Sequence, residues 1–179
     1  RNRELEMTTD TERRVQLRLE IAGLVGELEK EDGRVAALMA NLDESPGHLP
    51  SIQQLVKLLE LRGRHEELAE ILRAQAGKLE GDPSRAVVLH MKVAGVCEER
   101  LGDAEGAIAA YEAAEALESR PATIDHLARL YWERGEAEQA ASWLEKRLEG
   151  AADRDRVSVL LRLARARIKS QREDEALGH

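Results

Sequence analysis

Three segments of the chain are built to one plan, and the plan turns on a glycine. LVKLLELRGRHEELAEIL (55–72), AGVCEERLGDAEGAIAAY (94–111) and LARLYWERGEAEQAASWL (127–144) each place a stretch of helical apolar periodicity before Gly63, Gly102 or Gly135 and a second such stretch after it. Glycine suits that point because a tight turn between helices usually needs positive φ, which glycine adopts without steric cost. A hairpin of two short helices cannot cover its own apolar face, so a repeated hairpin implies neighbours stacked side by side. The expected fold is all-α, a solenoid of stacked antiparallel helix pairs.

The three glycines lie 39 and 33 residues apart, and their flanks agree column by column. Eight residues before each turn stand Leu55, Ala94 and Leu127; seven before stand Val56, Gly95 and Ala128, a small slot where helices can approach closely. Five residues after come Leu68, Ala107 and Ala140, and nine after come Leu72, Tyr111 and Leu144, the large residue that plugs the pair. This pattern resembles the tetratricopeptide repeat family, whose repeat is roughly 34 residues long. The likeness is fullest in 88–121, where Gly95, Gly102, Ala107, Tyr111, Ala114 and Pro121 match the family's motif. It covers residues 10–177 and implies a right-handed superhelix whose concave side, lined by the first helix of each pair, binds other proteins.

A fainter copy comes first, with Ala22-Gly23, Val35 and Met39 in the same columns and Lys30 where the turn glycine belongs. Gln75 and Arg147 occupy the column filled by Ala114 and are expected to weaken the ends of their helices. RVQLRLEIA (14–22), AVVLHMKVA (86–94) and RVSVLLRLA (156–164) recur at spacings of 72 and 70, so alternate repeats are more alike than neighbours. Capping signals open these extended first helices: Thr9 with Glu12 as a capping box, Asp82 before Pro83, and Asp153. The expected divisions are 1–9, the tail of a preceding repeat or cap; 10–48, 49–82, 83–120 and 121–152, four repeats; and 153–179, a first helix with a truncated second helix opening at REDEAL (172–177). ELEM (4–7) and the absence of polar caps suggest a segment of a longer array.

With no Phe and 2% aromatic residues, the core has to be assembled from Leu, Ala, Val and Ile in many shallow helix contacts. A formal charge of -8 gives no basic field for polyphosphate, which argues against nucleic acid as a partner. No run approaches the roughly 20 apolar residues that cross a bilayer, so no membrane insertion is expected. The polar start Arg1–Glu6 is no signal peptide. A lone cysteine, Cys97, fits a reducing compartment, and a cytoplasmic location is expected.

No Gly-rich phosphate loop, HExxH, GxSxG or Cys pair with metal spacing is present, so neither catalysis nor a cofactor is expected. His48, His65, His90, His126 and His179 are scattered, and none has a second ligand at i+4, so no metal is expected either. Cys97 stands in a column of small residues and reads as packing, with Arg100 as the cation one turn along that could favour a thiolate.

Residues ten and six before each turn share one helical face. That face collects Glu20 and Leu24, Gln53 and Lys57, Lys92 and Val96, and Asp125 and Arg129, with Arg162 continuing it. Lys57, Lys92, Arg129 and Arg162 thus form a basic row on an acidic molecule. One reading is a groove for an acidic or carboxylate-bearing peptide held by charge-assisted bonds. The other is solvated charge, paired with Glu60, Glu99 and Glu133 at well under ~1 kcal/mol per exposed pair. The Lys, Arg and two-Asn clamp of the family's chaperone-tail binders is not reproduced, because Leu24 and Gln54 stand at the Asn positions. Tyr131 and Trp143 read as packing between repeats, whereas Trp132, close to Arg129, is a candidate anchor for a partner as well as a candidate for packing. The expected function is a protein-interaction scaffold or adaptor. Self-association within a larger assembly, and a regulatory arm of an enzyme whose catalytic domain lies elsewhere, are the alternatives.

Overall fold

The computed structural model describes residues 4–5, 8, 10–28, 32–79 and 81–177, with side chains for all of these except 23–28, 32 and 173–177. Nine α-helices follow one another among the described residues: α1 (Thr11–Leu28), α2 (Asp32–Glu44), α3 (Leu49–Leu61), α4 (His65–Gly77), α5 (Pro83–Val96), α6 (Ala104–Leu117), α7 (Pro121–Glu133), α8 (Ala137–Glu149) and α9 (Asp153–Leu177). No described residue lies in a strand. Each helix packs on the next in the chain, and the whole is a helical solenoid.

One apolar seam holds the stack. A cluster of buried residues runs from Ala22, Leu38 and Leu42 through Leu59, Leu68, Leu89 and Tyr111 to Leu127 and Leu130. A second joins Ala128, Ala141 and Leu144 to Val159 and Ala166 of α9, and Trp143 packs against both. Each fully buried leucine contributes about 1.5–3 kcal/mol, and the alanines between them let neighbouring helices come close enough for that burial. Tyr131 packs against the first cluster while its hydroxyl donates to Glu112 Oε1 at 2.7 Å. The phenol's pKa is pushed up to about 12 by burial, with Glu112 adding to it.

The turns obey the glycine argument, with one variation that matters. Gly63 and Gly135 have φ of +67° and +84°. In both turns the glycine N–H and the one after it bond back into the helix: Gly63 to Glu60 O and Arg64 to Leu59 O, Gly135 to Trp132 O and Glu136 to Tyr131 O. These are the paired bonds of a left-handed helix cap. Gly102 also has positive φ, +63°, but Cys97–Leu101 forms a π-helical turn, and both Gly102 and Asp103 donate to Cys97 O. This turn holds one residue more than the other two, so side chains upstream of it slip by one position relative to a count back from the glycine. Burial follows the slipped register: Val96 is buried like Leu58 and Leu130, and Leu89 like Ser51 and Thr123. Val96, expected on the open face with Lys92, therefore belongs to the core at 7% exposure.

Further expectations are corrected at the helix ends. Asp82 does cap α5, accepting from the Arg85 N–H at 3.1 Å. At the start of α1 the Asp10 Oδ1 accepts from the Glu12 N–H at 3.0 Å; Thr9, the expected cap, and Lys30 lie outside the described residues. Asp153 is the first residue of α9 rather than its cap. The turn expected before 172–177 is absent, because α9 runs unbroken to Leu177 through good helix formers with no Gly or Pro to stop it. Gln75 and Arg147, expected to weaken their helices, instead bind neighbouring segments. Gln75 is buried and its Oε1 accepts from the Gly47 N–H at 3.0 Å, fixing the loop between α2 and α3. Arg147 is buried against Asp125 of α7, at 3.2 Å, and Asp155 of α9, at 3.7 Å. Glu115 does similar service after α6, accepting from Ser119 Oγ and the Arg120 N–H while pairing with Lys146 of α8 at 3.0 Å.

Two tests follow from these contacts. Gly47 has φ of +69°, and a Cβ there would lie 2.8 Å from both terminal carbons of buried Leu79, whereas a Cβ on Gly63 meets open space. Gly63→Ala then costs about 1 kcal/mol in backbone strain alone, and Gly47→Ala about 2–4 kcal/mol once overpacking is added; urea unfolding of both variants ranks them. Burial works to raise the Glu115 carboxyl's pKa, but its bonds to Ser119, the Arg120 amide and Lys146 outweigh it and leave the pKa below the usual value. A depressed folded-state value means stability that is present above the carboxylate range and lost as pH falls through it. Thermal unfolding against pH in the acid range should therefore show a shallower loss for Glu115→Gln than for the native chain.

Candidate binding groove

Among the described residues, three of the clefts open along the side formed by α3, α5, α7 and α9, the first helices of the pairs. The largest, about 660 Å³, lies between α7 and α9 over a floor of Ala128, Ala140 and Leu144. A second of about 350 Å³ is lined by Gln53, Val56, Lys57 and Glu60 of α3 and Lys92 of α5. A third, about 160 Å³, continues it past Gly95 and the edge of Val96 to Glu99 and Arg100.

The eight residues expected on the open face are thus divided. Asp125, Arg129, Trp132 and Arg162 share the largest cleft; Gln53, Lys57 and Lys92 share the second; Val96 only edges the third. The expected basic row divides electrically as well. Arg129 bonds Glu98 across the repeat boundary and Glu133 one turn along its own helix, at 3.1 Å. Burial works against its charge, yet these two carboxylates hold its pKa above the usual arginine value. Arg162 bonds Asp125, which Arg147 also engages. Lys57 and Lys92, by contrast, are exposed and make no ion pair among the described residues. Of the acids expected to neutralise the row, Glu133 does so, while Glu60 and Glu99 make no ion pair among the described residues.

Around Arg129 the polar groups are tightly placed. The His126 ring stacks on Tyr111, centroids 4.8 Å apart, and its Nδ1 lies 3.3 Å from an Arg129 nitrogen and 3.8 Å from Glu98. The Tyr111 hydroxyl donates to Glu98 Oε2 at 3.2 Å, and burial, with Glu98 close by, pushes its pKa well up. These groups position one another as a structural network. Trp132 is 40% exposed on the cleft wall, with the Lys169 ammonium 4.7 Å from its ring centroid. A cation so placed is attracted to the face of the ring and restrains it.

Counting along first helices missed His126 and Arg165 on the walls of the largest cleft and Ala140 and Leu144 on its floor. Arg165 was within reach, since it lies three residues beyond Arg162 on the same helical face. Ala140 and Leu144 were not, because they belong to α8, a second helix, and line the cleft only where α7 and α9 part.

Cys97 is fully buried, and burial pushes its thiol pKa up. Its cationic neighbour is Arg73 of α4, donating to Sγ at 3.1 Å, rather than Arg100. No group of three or more His, Cys, Asp or Glu side chains that could hold a metal occurs among the described residues, and none of the described helices is long and apolar enough to cross a membrane.

No protein-family model and no curated protein matches the chain. Among 15 matching chains of solved structure, one described as the crystal structure of MamA protein aligns with a TM-score of 0.55 at 18% identity, covering 92% of this chain and 86% of that one. At that identity the likeness speaks to fold: the chain is a tetratricopeptide-like helical solenoid, as MamA is.

Proposed function

We propose that the chain is a protein-interaction scaffold that holds a peptide or helix of a partner protein along the first-helix side. The carrying observation is the run of clefts on that side, walled by side chains on rigid helices and offering exposed Lys57, Lys92 and Trp132. Grooves of this kind take an extended segment or an amphipathic helix with little reordering of the scaffold, which keeps the entropic cost of binding low. The tetratricopeptide-like fold supports the same reading, since stacked helix pairs present long curved surfaces.

Chemistry on the largest cleft is suited to binding rather than to reaction. Asp125 is bonded to Arg162, Arg129 is bonded to Glu98, and the histidine is stacked and flanked by an arginine. Cross-linking mass spectrometry on the full-length protein in its native cell tests the reading. Partner cross-links are expected on Lys57, Lys92 and Lys169, at the clefts, in preference to Lys78 and Lys146, which pair with Asp43 and Glu115 on the second-helix side. Partner cross-links concentrated on Lys78 and Lys146 would place binding on the opposite face.

A further inference from the structure

The charges lining the largest cleft differ in what they are free to do. Arg129 and Arg162 are committed to Glu98, Glu133 and Asp125. Arg165, one turn along α9 from Arg162, is exposed and makes no ion pair among the described residues. Asp125, the cleft's own carboxylate, is held between Arg147 and Arg162. Among the described residues, the cleft therefore offers an incoming segment one uncommitted cation, Arg165, and no uncommitted anion. Beside that cation stand a half-open tryptophan and a floor of small side chains and one leucine, in a volume of about 660 Å³.

We propose that this cleft takes one large apolar side chain of a partner segment, seated against Trp132 and Leu144, and that a carboxylate of the same segment bonds Arg165. The inference rests on the reading of the first-helix side as a protein-binding surface and narrows it to a ligand chemistry. Alanine at 128 and 140 leaves depth for a leucine or an aromatic ring, which buries its area without displacing any charge pair. Trp and Arg are the residues that most often carry binding energy at protein interfaces, and a guanidinium bonds a carboxylate in two parallel contacts. A partner segment that docks as a helix sets side chains three or four positions apart on one face, so its apolar residue and its acid are expected within about four positions of each other. A basic segment is disfavoured at the same place by Arg165 and by the pairing of Asp125.

Selection of short random peptides on the full-length protein tests this. Enriched peptides are expected to carry Leu, Phe or Trp with Asp or Glu within four positions. Their affinity, by titration calorimetry, is expected to fall about tenfold or more in Arg165→Glu, to fall likewise in Trp132→Ala, and to persist in a Lys57→Glu, Lys92→Glu double variant. Selection repeated on Arg165→Glu is expected to replace the acid by Lys or Arg, a swap that general loss of structure cannot produce. Peptides that bind equally well to Arg165→Glu but fail on the double variant would overturn the inference while leaving the scaffold reading intact. Arg165-dependent peptides lacking any large apolar residue would overturn its apolar half. An absence of enriched peptides on the native protein would overturn the scaffold reading itself.

Discussion

Close approach of helices over buried alanine is the constraint on which the rest depends. Ala69, Ala94, Ala107, Ala114, Ala128, Ala140 and Ala141 are all but inaccessible. They sit between leucines whose burial supplies the driving force, in a chain without a single phenylalanine. Interiors are close-packed, so a larger residue at such a crossing would separate two helix pairs and expose the leucines on both sides. The same economy shapes the candidate site, because it is alanine on α7 and α8 that leaves depth beneath Trp132 once α7 and α9 part.

Polar groups do the finer positioning. Gln75, Glu115 and Arg147 are buried side chains whose partners belong to neighbouring loops or helices, so each fixes one repeat against the next where apolar contact alone would allow sliding. The Glu98–Arg129–Glu133 group and the Asp125–Arg162 pair extend this onto the groove. An acidic ligand reaching for Arg129 would have to displace carboxylates already in place, and the net gain from such an exchange is small. Lys57, Lys92 and Arg165, which make no ion pair among the described residues, remain available for charge recognition.

Repetition carries the fold in the sequence, and three glycine positions suffice to anticipate left-handed turns at 63, 102 and 135. What escapes is whatever depends on register. A count back from Gly102 assumes that every first helix ends alike, and the π turn at Cys97–Leu101 inserts a residue with no side-chain signature. That single residue moves Val96 from the open face into the core. The roles of Gln75 and Arg147 escape for a related reason: their partners Gly47 and Asp125 are 28 and 22 residues away, and only the stacked geometry brings them together. Pairing of Arg129 and Arg162 is hidden likewise, since Glu98 lies across a repeat boundary and Asp125 on another helix. Trp132 on the groove wall is legible, because its place depends on a local count from Gly135, where the turn is regular.

Small-angle X-ray scattering of the chain in dilute solution tests the stacking most directly. A closed globule of 179 residues would have a radius of gyration of about 16 Å. Helix pairs stacked along a shared seam predict a clearly larger radius and a pair-distance distribution with an extended tail; a radius at the globular value with a symmetric distribution would contradict them.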